Sequence, residues 1–228
     1  MITVSKEDYL KAILEAESEG EQVIAARLAQ WLSVSAPAVT MALRRLKRDG
    51  LVSVRHHGRL QLTTSGRKIA RRLAVRHHLI ERMLHEVFGM EWYKVHDEAE
   101  RLEHAVSGDF EAMLSRKLGP GHPCPHGNPP TPESPRARRK RGLLLLSESQ
   151  PGGRYVVQSV YERDRKLGEF LEKLDIRPGA DIAVNQRNYD DTLSLVTTAG
   201  RVSLGRSAAE KVWVAPTNGS RPPRVKKN

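Results

Sequence analysis

The chain has 228 residues and a formal net charge of +11, with 38 lysines and arginines against 27 aspartates and glutamates. This length allows two or three small domains, and the positive excess indicates a polyanionic partner such as nucleic acid. The single cysteine excludes a disulfide framework and a four-cysteine zinc site, so any metal is expected to be held by histidines and carboxylates. With neither a long apolar span nor a secretory signal pattern, we expect a cytoplasmic protein without a membrane partner.

The N-terminal third has the pattern of a winged helix. A first helix is predicted over residues 5–18 from apolar residues at helical spacing, and two short helical segments follow, VIAARLAQWL and APAVTMALRRLKRDG. Ser35 is a good N-cap for the last of them, and Pro37 suits its first turn. Two alternating apolar runs around HHGR, residues 56–59, then predict a β-hairpin. A helix-turn-helix followed by a hairpin predicts a winged-helix domain.

The next segment predicts a helical dimerisation unit. A long amphipathic helix is expected from Gly66 to about Phe88, and two more helices between Trp92 and Leu118. Because three helices bury little apolar surface alone, their apolar faces are expected to pack on one another and on a second copy of the chain. These faces comprise Leu79, Ile80, Met83, Leu84, Val87, Leu102, Val106, Phe110, Met113 and Leu114. We therefore predict a homodimer.

The C-terminal half changes character twice. Residues 119–142 are rich in proline and end in the basic run RARRKR, which predicts a linker or extended loop. The basic run could contact phosphate or serve as a solvated tether, and the sequence leaves both open. Beyond it, several short strand-like runs around one helical patch, residues 166–174, predict a small barrel of the SH3 type. The last dozen residues lack apolar content and are expected to be disordered.

The predicted fold class is therefore mainly α in the N-terminal part, a winged helix-turn-helix plus a helical dimerisation domain, with a small C-terminal all-β SH3-like barrel. The units are expected at residues 1–73, 74–141 with the proline-rich linker, 142–216, and 217–228 as the basic tail.

The predicted recognition helix carries most of the candidate DNA contacts. Small side chains at its start suit thymine methyl groups, and the arginines that follow suit phosphates. The candidates are Ser35, Ala36, Pro37, Thr40 and Met41 near the bases; Arg44, Arg45, Lys47 and Arg48 near phosphates; Arg27 in the preceding helix; and Arg55, His56, His57 and Arg59 on the wing. A winged helix can also be a protein-interaction module with a basic surface, and this alternative stays open.

The stretch VHDEAERLEH, residues 95–104, forms a single polar stripe if the whole run is helical. A stripe of this kind is usually a solvated face, but other candidate ligands accompany it here. The full set is His96, Glu100, Glu103 and His104 in the stripe, His77 and Glu81 one turn apart on the preceding helix, His126 in the proline-rich segment, and Asp8 in the first helix. Imidazoles with carboxylates suit Mn²⁺, Fe²⁺ or Zn²⁺, and the oxygen-rich set favours Mn²⁺.

The order of these segments resembles the diphtheria toxin repressor family of metal-dependent transcriptional regulators. The resemblance covers roughly residues 5–215 and rests on ARLAQWLSVSAPAVTMALRRLKRDGLV, the wing ending LTTSG, and the motifs RHHLIER, VHDEAERLEH, CPHGNP, LSESQPGGRYVVQSV and LDIRPG. It implies a dimer that binds palindromic operator DNA when loaded with metal and represses metal-uptake genes. It also implies a primary metal site of Asp8, Glu100, Glu103 and His104, and an ancillary site of His77, Glu81, His96, His126 and Asp164.

Departures from the family's iron-sensing members favour manganese. Those members have a methionine where this chain has Asp8 and a cysteine where it has Glu100, so both replacements exchange soft sulfur for hard oxygen, as in the manganese transport regulators. The short manganese regulators have a further glutamate where this chain has Lys11 and lack the C-terminal barrel, so the longer ones are more similar. The expected cofactor is Mn²⁺, with Fe²⁺ as the alternative. Other divalent transition metals should bind in vitro, because Mn²⁺ is the weakest binder among them.

Two other functions fit parts of the pattern. A metallohydrolase also uses histidine and carboxylate clusters, but here they accompany no Gly-rich phosphate loop or nucleophile elbow, so we expect neither enzymatic activity nor a small-molecule substrate. A metal-independent winged-helix regulator would use residues 142–216 to bind a protein or a small effector.

Overall fold

Three helices and a two-stranded hairpin form the N-terminal unit. The computed structural model describes residues 4–55 and 58–217; the predicted wing residues His56 and His57 and the predicted disordered tail from residue 218 lie outside this part. The elements are α1 (Val4–Ser18), α2 (Ala25–Trp31), α3 (Ala36–Arg48), β1 (Val52–Val54) and β2 (Leu60–Leu62). The Ser35 hydroxyl accepts a hydrogen bond from the Ala38 amide, as expected of an N-cap, and β1 pairs antiparallel with β2. The winged helix is confirmed.

One long helix connects this unit to the next. Helix α4 (Thr64–Arg82) begins two residues earlier than predicted, because the Thr63 hydroxyl caps it by accepting from the Gly66 amide at 3.1 Å. A Cβ at Gly66 would lie 2.0 Å from the carbonyl oxygen of Leu51, so only glycine lets α4 approach the hairpin this closely. Helix α4 runs on through a single π-helical turn, Met83–Val87.

Helices α5 (Val95–Leu102) and α6 (Gly108–Leu118) complete the helical unit. The first half of α4 packs its alanines into the winged-helix core, and its second half forms a separate core with α5 and α6 around Ile80, Val95 and Leu114. The expectation of one unbroken helix over residues 95–104 is wrong: α5 ends at Leu102, and the chain turns over residues 103–105.

The proline-rich segment is folded in part. The linker prediction is wrong for residues 135–140, which form helix α7 (Pro135–Lys140) capped by Ser134. Arg138 is buried, lies 3.3 Å from the Asn128 side-chain oxygen and stacks on Trp213. Two further arginines of the run RARRKR are paired with carboxylates of this chain, Arg139 with Glu148 and Arg141 with Glu133. Arg138 and Arg139 therefore hold the segment against the C-terminal module, and Arg141 is paired within the segment itself.

The C-terminal module is the predicted small all-β unit. Its elements are β3 (Leu144–Leu145), a 3₁₀ turn (Leu146–Glu148), β4 (Arg154–Val160), α8 (Arg165–Lys173), β5 (Asp181–Arg187), β6 (Leu193–Thr197), β7 (Gly200–Leu204), α9 (Arg206–Ala209) and β8 (Val212–Pro216). The strands form one antiparallel sheet in the order β3-β8-β4-β5-β6-β7. The SH3-like architecture is confirmed.

Trp92, between α4 and α5, fixes this module to the helical unit. Its ring belongs to the core of the C-terminal module, and its indole nitrogen donates to Glu172 at 2.5 Å. A Cβ at Gly168 of α8 would lie 2.6 Å from the Cβ of Tyr93, so glycine permits this close packing. Among the described residues, none of the helices is long and apolar enough to span a membrane.

Candidate metal centre

The first cluster joins the winged helix to the helical unit. Asp8 of α1 faces the turn after α5, where its Oδ1 lies 2.7 Å from His104 Nε2. His104 Nε2 is 3.6 Å from Glu103 Oε1, and one potential ligand atom of each residue lies within 4.8 Å of the others. Asp8 is 96 positions from His104 in sequence, and only the packing of α1 against α4 and the end of α5 brings it to Glu103 and His104.

Lys11 lies directly behind this cluster. Its ammonium is buried and donates to both Glu103 oxygens at 2.6 and 2.9 Å, and it lies 3.2 Å from His77 Nδ1. Burial alone would raise the pKa of Glu103, but hydrogen bonding to His77 and the charge of Lys11 lower it below its ordinary value. Burial raises the pKa of Asp8, against the opposing effect of His104. Glu103 is therefore held ionised, with a cation already beside it.

Glu100 lies apart from the other predicted primary ligands. It lines the same cavity of about 340 Å³ as Asp8, Glu103 and His104, but its carboxylate is not within the cluster those three form. Its Oε1 instead lies 3.3 Å from Arg163, 3.5 Å from His96 Nε2 and 3.8 Å from Lys11. Although burial opposes it, the charges around this carboxylate hold its pKa well below the usual range.

A second cluster lies on the facing sides of α4 and α5. His77 Nε2 is 3.1 Å from Glu81 Oε1 and 3.0 Å from His96 Nδ1, and all three side chains are almost fully buried. Burial favours neutral His96, but the neighbouring carboxylates of Glu100 and Glu81 raise its pKa to about 10. The structure therefore brings three of the five predicted ancillary ligands into one cluster, and a fourth, His126, lies 3.5 Å from Glu81.

Glu81 also belongs to a third cluster, together with His78, Cys124 and Glu162. The Cys124 thiol lies 3.8 Å from Glu162 Oε2 and 3.9 Å from His126 Nδ1, which itself lies 3.5 Å from Glu81. Burial raises the pKa of the Cys124 thiol, and the neighbouring carboxylates raise it further. This cluster contains a thiol, a donor type that the expectation of histidine and carboxylate ligands left out.

Asp164 is outside all three clusters, contrary to the expectation of an ancillary ligand. Its side chain is exposed, and its carboxylate caps α8 by accepting from the Leu167 amide at 3.0 Å. Glu162, two residues earlier, faces the cluster instead, where Asn128 donates to it at 2.5 Å. The physical reason is that residue 164 starts a helix, which commits its carboxylate to the free amides of the first turn.

Unsatisfied buried atoms support a fit to metal ions. Among the described residues, five buried side-chain atoms have no hydrogen-bond partner: His78 Nδ1, Glu81 Oε2, His96 Nε2, His104 Nδ1 and His126 Nε2. Buried polar atoms are normally paired, and all five belong to the clusters or to a histidine beside them. Imidazole nitrogens and carboxylate oxygens with free lone pairs in groups of three or four are a donor set suited to divalent transition metals.

Cys124 and Glu162 are the candidate ligands that sequence reasoning missed. A usable signal was present for the first, because Cys124 stands two residues before His126 in CPHGNP. A Cβ at Gly127 would lie 2.0 Å from the carbonyl oxygen of Gln158, so glycine presses this loop onto β4 and buries both side chains. No local pattern distinguishes Glu162, because its role depends on how the end of β4 packs against α4.

Most of the candidate DNA contacts are exposed. Ser35, Ala36, Pro37, Thr40, Met41, Arg44, Arg45, Lys47 and Arg48 are exposed on α3, and Arg55 and Arg59 are exposed on the wing. Arg27 is half-buried and paired with Glu21 at 2.5 Å, so it is less free than the others to meet a phosphate. The buried residues of α3, Val39 and Leu46, face the core and leave the basic side outward.

The fold and the clusters define a class of protein: a winged-helix DNA-binding protein with a candidate metal site between its DNA-binding and helical units. Comparison with known families agrees domain by domain. Residues 1–60 match the N-terminal DNA binding domain of iron dependent repressors, residues 63–132 their metal binding and dimerisation domain, and residues 144–216 the FeoA domain.

Whole-chain relatives give the particular family. The chain is 33% identical over 221 residues to the iron-dependent repressor IdeR of Mycobacterium leprae, covering 91% of this chain and 95% of that one. It is 34% identical to the diphtheria toxin repressor of Corynebacterium diphtheriae, covering 82% and 87%. The chain belongs to the family of iron-dependent repressors that includes these two proteins.

Solved structures of manganese-dependent regulators are also similar to this chain. A manganese-dependent transcriptional repressor in complex with manganese superimposes with a TM-score of 0.82 at 31% identity, covering 93% of this chain and all of that one. The manganese regulator SloR gives a TM-score of 0.76 at 26% identity, covering 93% and 98%. The fold class and the manganese branch of the resemblance are therefore confirmed.

Proposed function

We propose that this chain is a metal-dependent transcriptional repressor that binds operator DNA as a homodimer, with Mn²⁺ as its physiological signal. The observation that carries the proposal is the contact between Asp8 and His104, which places a carboxylate of the first winged-helix element within 2.7 Å of a ligand from the helical unit. The family's repressors supply the class of function, and the oxygen-rich first cluster supports manganese over iron.

The first cluster is suited to act as a switch. Asp8, Glu103 and His104 would hold a divalent ion between α1 and the turn after α5, and its charge would offset the repulsion between their carboxylates. An arrangement in which α1 moves away loses Asp8 and binds the ion less well, so ion binding favours the arrangement that keeps the units together. The winged helices of a dimer would then keep a fixed separation and match the half-sites of a palindromic operator.

An apolar surface on the helical unit supports the homodimer. Exposed fractions reach 71% for Phe88 and 55% for Met113, and these side chains line an open groove of about 490 Å³ with Val87, Phe110 and Leu114. Soluble monomers seldom expose apolar side chains in one continuous patch. A two-fold contact between copies of this patch would bury it on both subunits.

Assignments of residues and regions follow from this proposal. We assign DNA binding to residues 1–73, metal binding and dimerisation to 74–141, and the SH3-like module to 142–216. Primary ligands are Asp8, Glu103 and His104, with Glu100 joining them when its carboxylate turns; His77, Glu81 and His96 form an ancillary site, and His78, Glu81, Cys124 and Glu162 a further one. A regulator of this kind acts where the chromosome is, so we propose a cytoplasmic location.

A titration on DNA tests the proposal. Selection from random duplexes with protein and Mn²⁺ would supply the operator, and fluorescence anisotropy would then follow binding with Mn²⁺, with Fe²⁺ and with chelator. We expect tight binding with Mn²⁺ that chelator reverses. Equal binding with chelator would instead indicate the metal-independent regulator, and failure to select any duplex would leave only a protein-interaction module.

Replacement of Arg44 with alanine should weaken DNA binding on all sequences. Arg44 is exposed on α3 among the proposed phosphate contacts. Without this contact, DNA binding would neutralise one phosphate fewer and release fewer counterions. The slope of log affinity against log salt concentration should fall by about one. Arg201→Ala, an exposed arginine of the C-terminal module, serves as the control and should leave the slope unchanged. An unaltered slope for Arg44→Ala would mean that this side chain does not meet phosphate.

Glu162→Gln should lower the number of metal ions bound per subunit. The change keeps the shape and the hydrogen bond from Asn128 but removes a carboxylate charge from the third cluster. We expect the weakest Mn²⁺ or Zn²⁺ step in a calorimetric titration to disappear, while the Asp8 site keeps its affinity. Asp164→Asn, the matched control two residues away, should leave the stoichiometry intact. A loss for Asp164→Asn and none for Glu162→Gln would reverse the assignment.

A further inference from the structure

Arg163 extends from the C-terminal module into the other two units. It lies between the end of β4 and the start of α8, yet its guanidinium ion-pairs with Glu15 of α1 and lies 3.3 Å from Glu100 of α5. The same guanidinium stacks 5.0 Å from the centre of the Trp31 ring at the end of α2. A single side chain, 13% exposed, therefore contacts three helices outside its own module.

This contact bears directly on the first metal cluster. Glu100 and Arg163 line the same cavity as Asp8, Glu103 and His104, but Glu100 Oε1 faces Arg163 rather than the three other ligands. Lys11 and His96 also approach that oxygen, at the longer distances of 3.8 and 3.5 Å. A carboxylate so placed has to turn away from Arg163 before it can join Asp8, Glu103 and His104 around one ion.

The other contacts of Arg163 keep it in place when Glu100 turns. Its partner Glu15 is buried, so moving Arg163 away would leave a buried carboxylate without its counter-charge. It would also break the cation–π contact with the Trp31 indole. The Arg163 guanidinium therefore stays at the edge of the cavity and attracts Glu100 whether or not an ion is present.

We propose that Arg163 is a positioning residue through which the C-terminal module restrains activation, by holding the Glu100 carboxylate away from the first metal cluster. Metal and guanidinium compete for this carboxylate, so Arg163 raises the concentration of Mn²⁺ needed to fill the site. The inference rests on the proposed function and adds a role for the C-terminal module. Arg163, which is not itself a candidate ligand, would then help to set the Mn²⁺ concentration at which the protein is activated.

The test uses a charge-neutral pair of changes in the full-length protein. Arg163→Gln alone leaves Glu15 buried without its partner, so the principal variant is Glu15→Gln/Arg163→Gln, in which two amides can hydrogen-bond and the net charge of the protein is unchanged. Its affinity for Mn²⁺, measured by competition with a fluorescent chelator, should increase about tenfold, as expected when an opposite charge is removed from beside a carboxylate. Arg163→Lys, which keeps the charge, should return the affinity toward that of the wild type.

Arg165→Gln is the matched control. This arginine also joins the C-terminal module to α5, through Asp97 at 3.9 Å, but it contacts none of the candidate ligands. Its loss should leave the Mn²⁺ affinity unchanged. In chelator, acrylamide quenching of Trp31 fluorescence should rise in the Arg163 variants and not in Arg165→Gln, with Trp31→Phe identifying the contribution of this indole.

The outcomes separate the two ideas. Wild-type affinity in the double variant, while the wild type itself binds Mn²⁺, would overturn the role of Arg163 and leave the proposed function intact. Failure of the wild type to bind Mn²⁺ at all would overturn the proposed function, and this inference with it. A gain of affinity in Arg165→Gln equal to that of the double variant would also overturn the inference, because it would show a general loosening of the module.

Discussion

Asp8→Asn is expected to abolish the response of operator binding to Mn²⁺. The carboxylate of Asp8 is the part of the first cluster that α1 contributes, and His104 Nε2 lies 2.7 Å from it. Asparagine keeps the shape and can still hydrogen-bond to the imidazole, so the winged helix should fold as before. What disappears is the negative charge that would tie α1 to an ion held by Glu103 and His104.

The size of the effect follows from the chemistry of the ligand. Changes to groups that only orient a ligand already reduce metal affinity about 10- to 100-fold, so loss of a ligand charge should cost at least that much. Anisotropy on a labelled operator over a range of Mn²⁺ concentrations would measure it. Glu17→Gln removes another α1 carboxylate, one that pairs with Arg67 at 2.6 Å, and should respond to Mn²⁺ normally. Full activation of Asp8→Asn would disprove the bridging role.

Met113→Glu is expected to convert the dimer to a monomer. Met113 lies in the groove between the π-helical turn after α4 and the outer face of α6, beside Phe88 and Phe110. A two-fold contact would bury a new carboxylate on each subunit in an apolar environment without a partner, which costs several kcal/mol. At roughly 1.4 kcal/mol for each factor of ten, the dissociation constant should rise by at least about a hundredfold.

Sedimentation velocity at micromolar concentration would detect the change, and circular dichroism would verify that the helices persist. Phe170→Glu replaces an exposed aromatic side chain of α8, far in sequence from the groove, and should leave the dimer intact. A monomer should also lose affinity for a palindromic operator, because each half-site is then bound separately. A dimeric Met113→Glu protein would exclude this groove as the centre of the interface.

Local patterns in the sequence were sufficient for the architecture. Apolar spacing, the Ser35 cap and alternation around the wing predicted the winged helix, and the C-terminal strand runs predicted the antiparallel sheet. These signals depend on residues a few positions apart, so they favour the observed helices and strands without any contact between distant residues. Helix α7 was missed because a proline-rich, basic segment has no apolar periodicity, and its helix depends on Arg138 being buried against Trp213.

The types of residue in the sequence also indicated which side chains could bind a metal ion. Asp8, His77, Glu81, His96, Glu103 and His104 were recognisable as candidate ligands from their types and spacing, and the structure gathers them into two clusters. The carboxylate oxygen at position 100 is one of the sequence features behind the proposal of manganese. The resemblance to a known family supplied the pairing of these residues, which spacing alone left open.

What the tertiary structure decided is which side chains meet. The turn at residues 103–105 brings His104 to Asp8, and the helix start at Arg165 commits Asp164 to capping. Glu162, just after β4, lies 3.8 Å from His78 of α4 and 3.8 Å from the Cys124 thiol. Arg163, His96 and Lys11 all lie within 3.8 Å of Glu100 Oε1 and attract this carboxylate. Side-chain direction at this site is set by charges and packing from residues as far as 96 positions away, and no local pattern in a sequence contains that information.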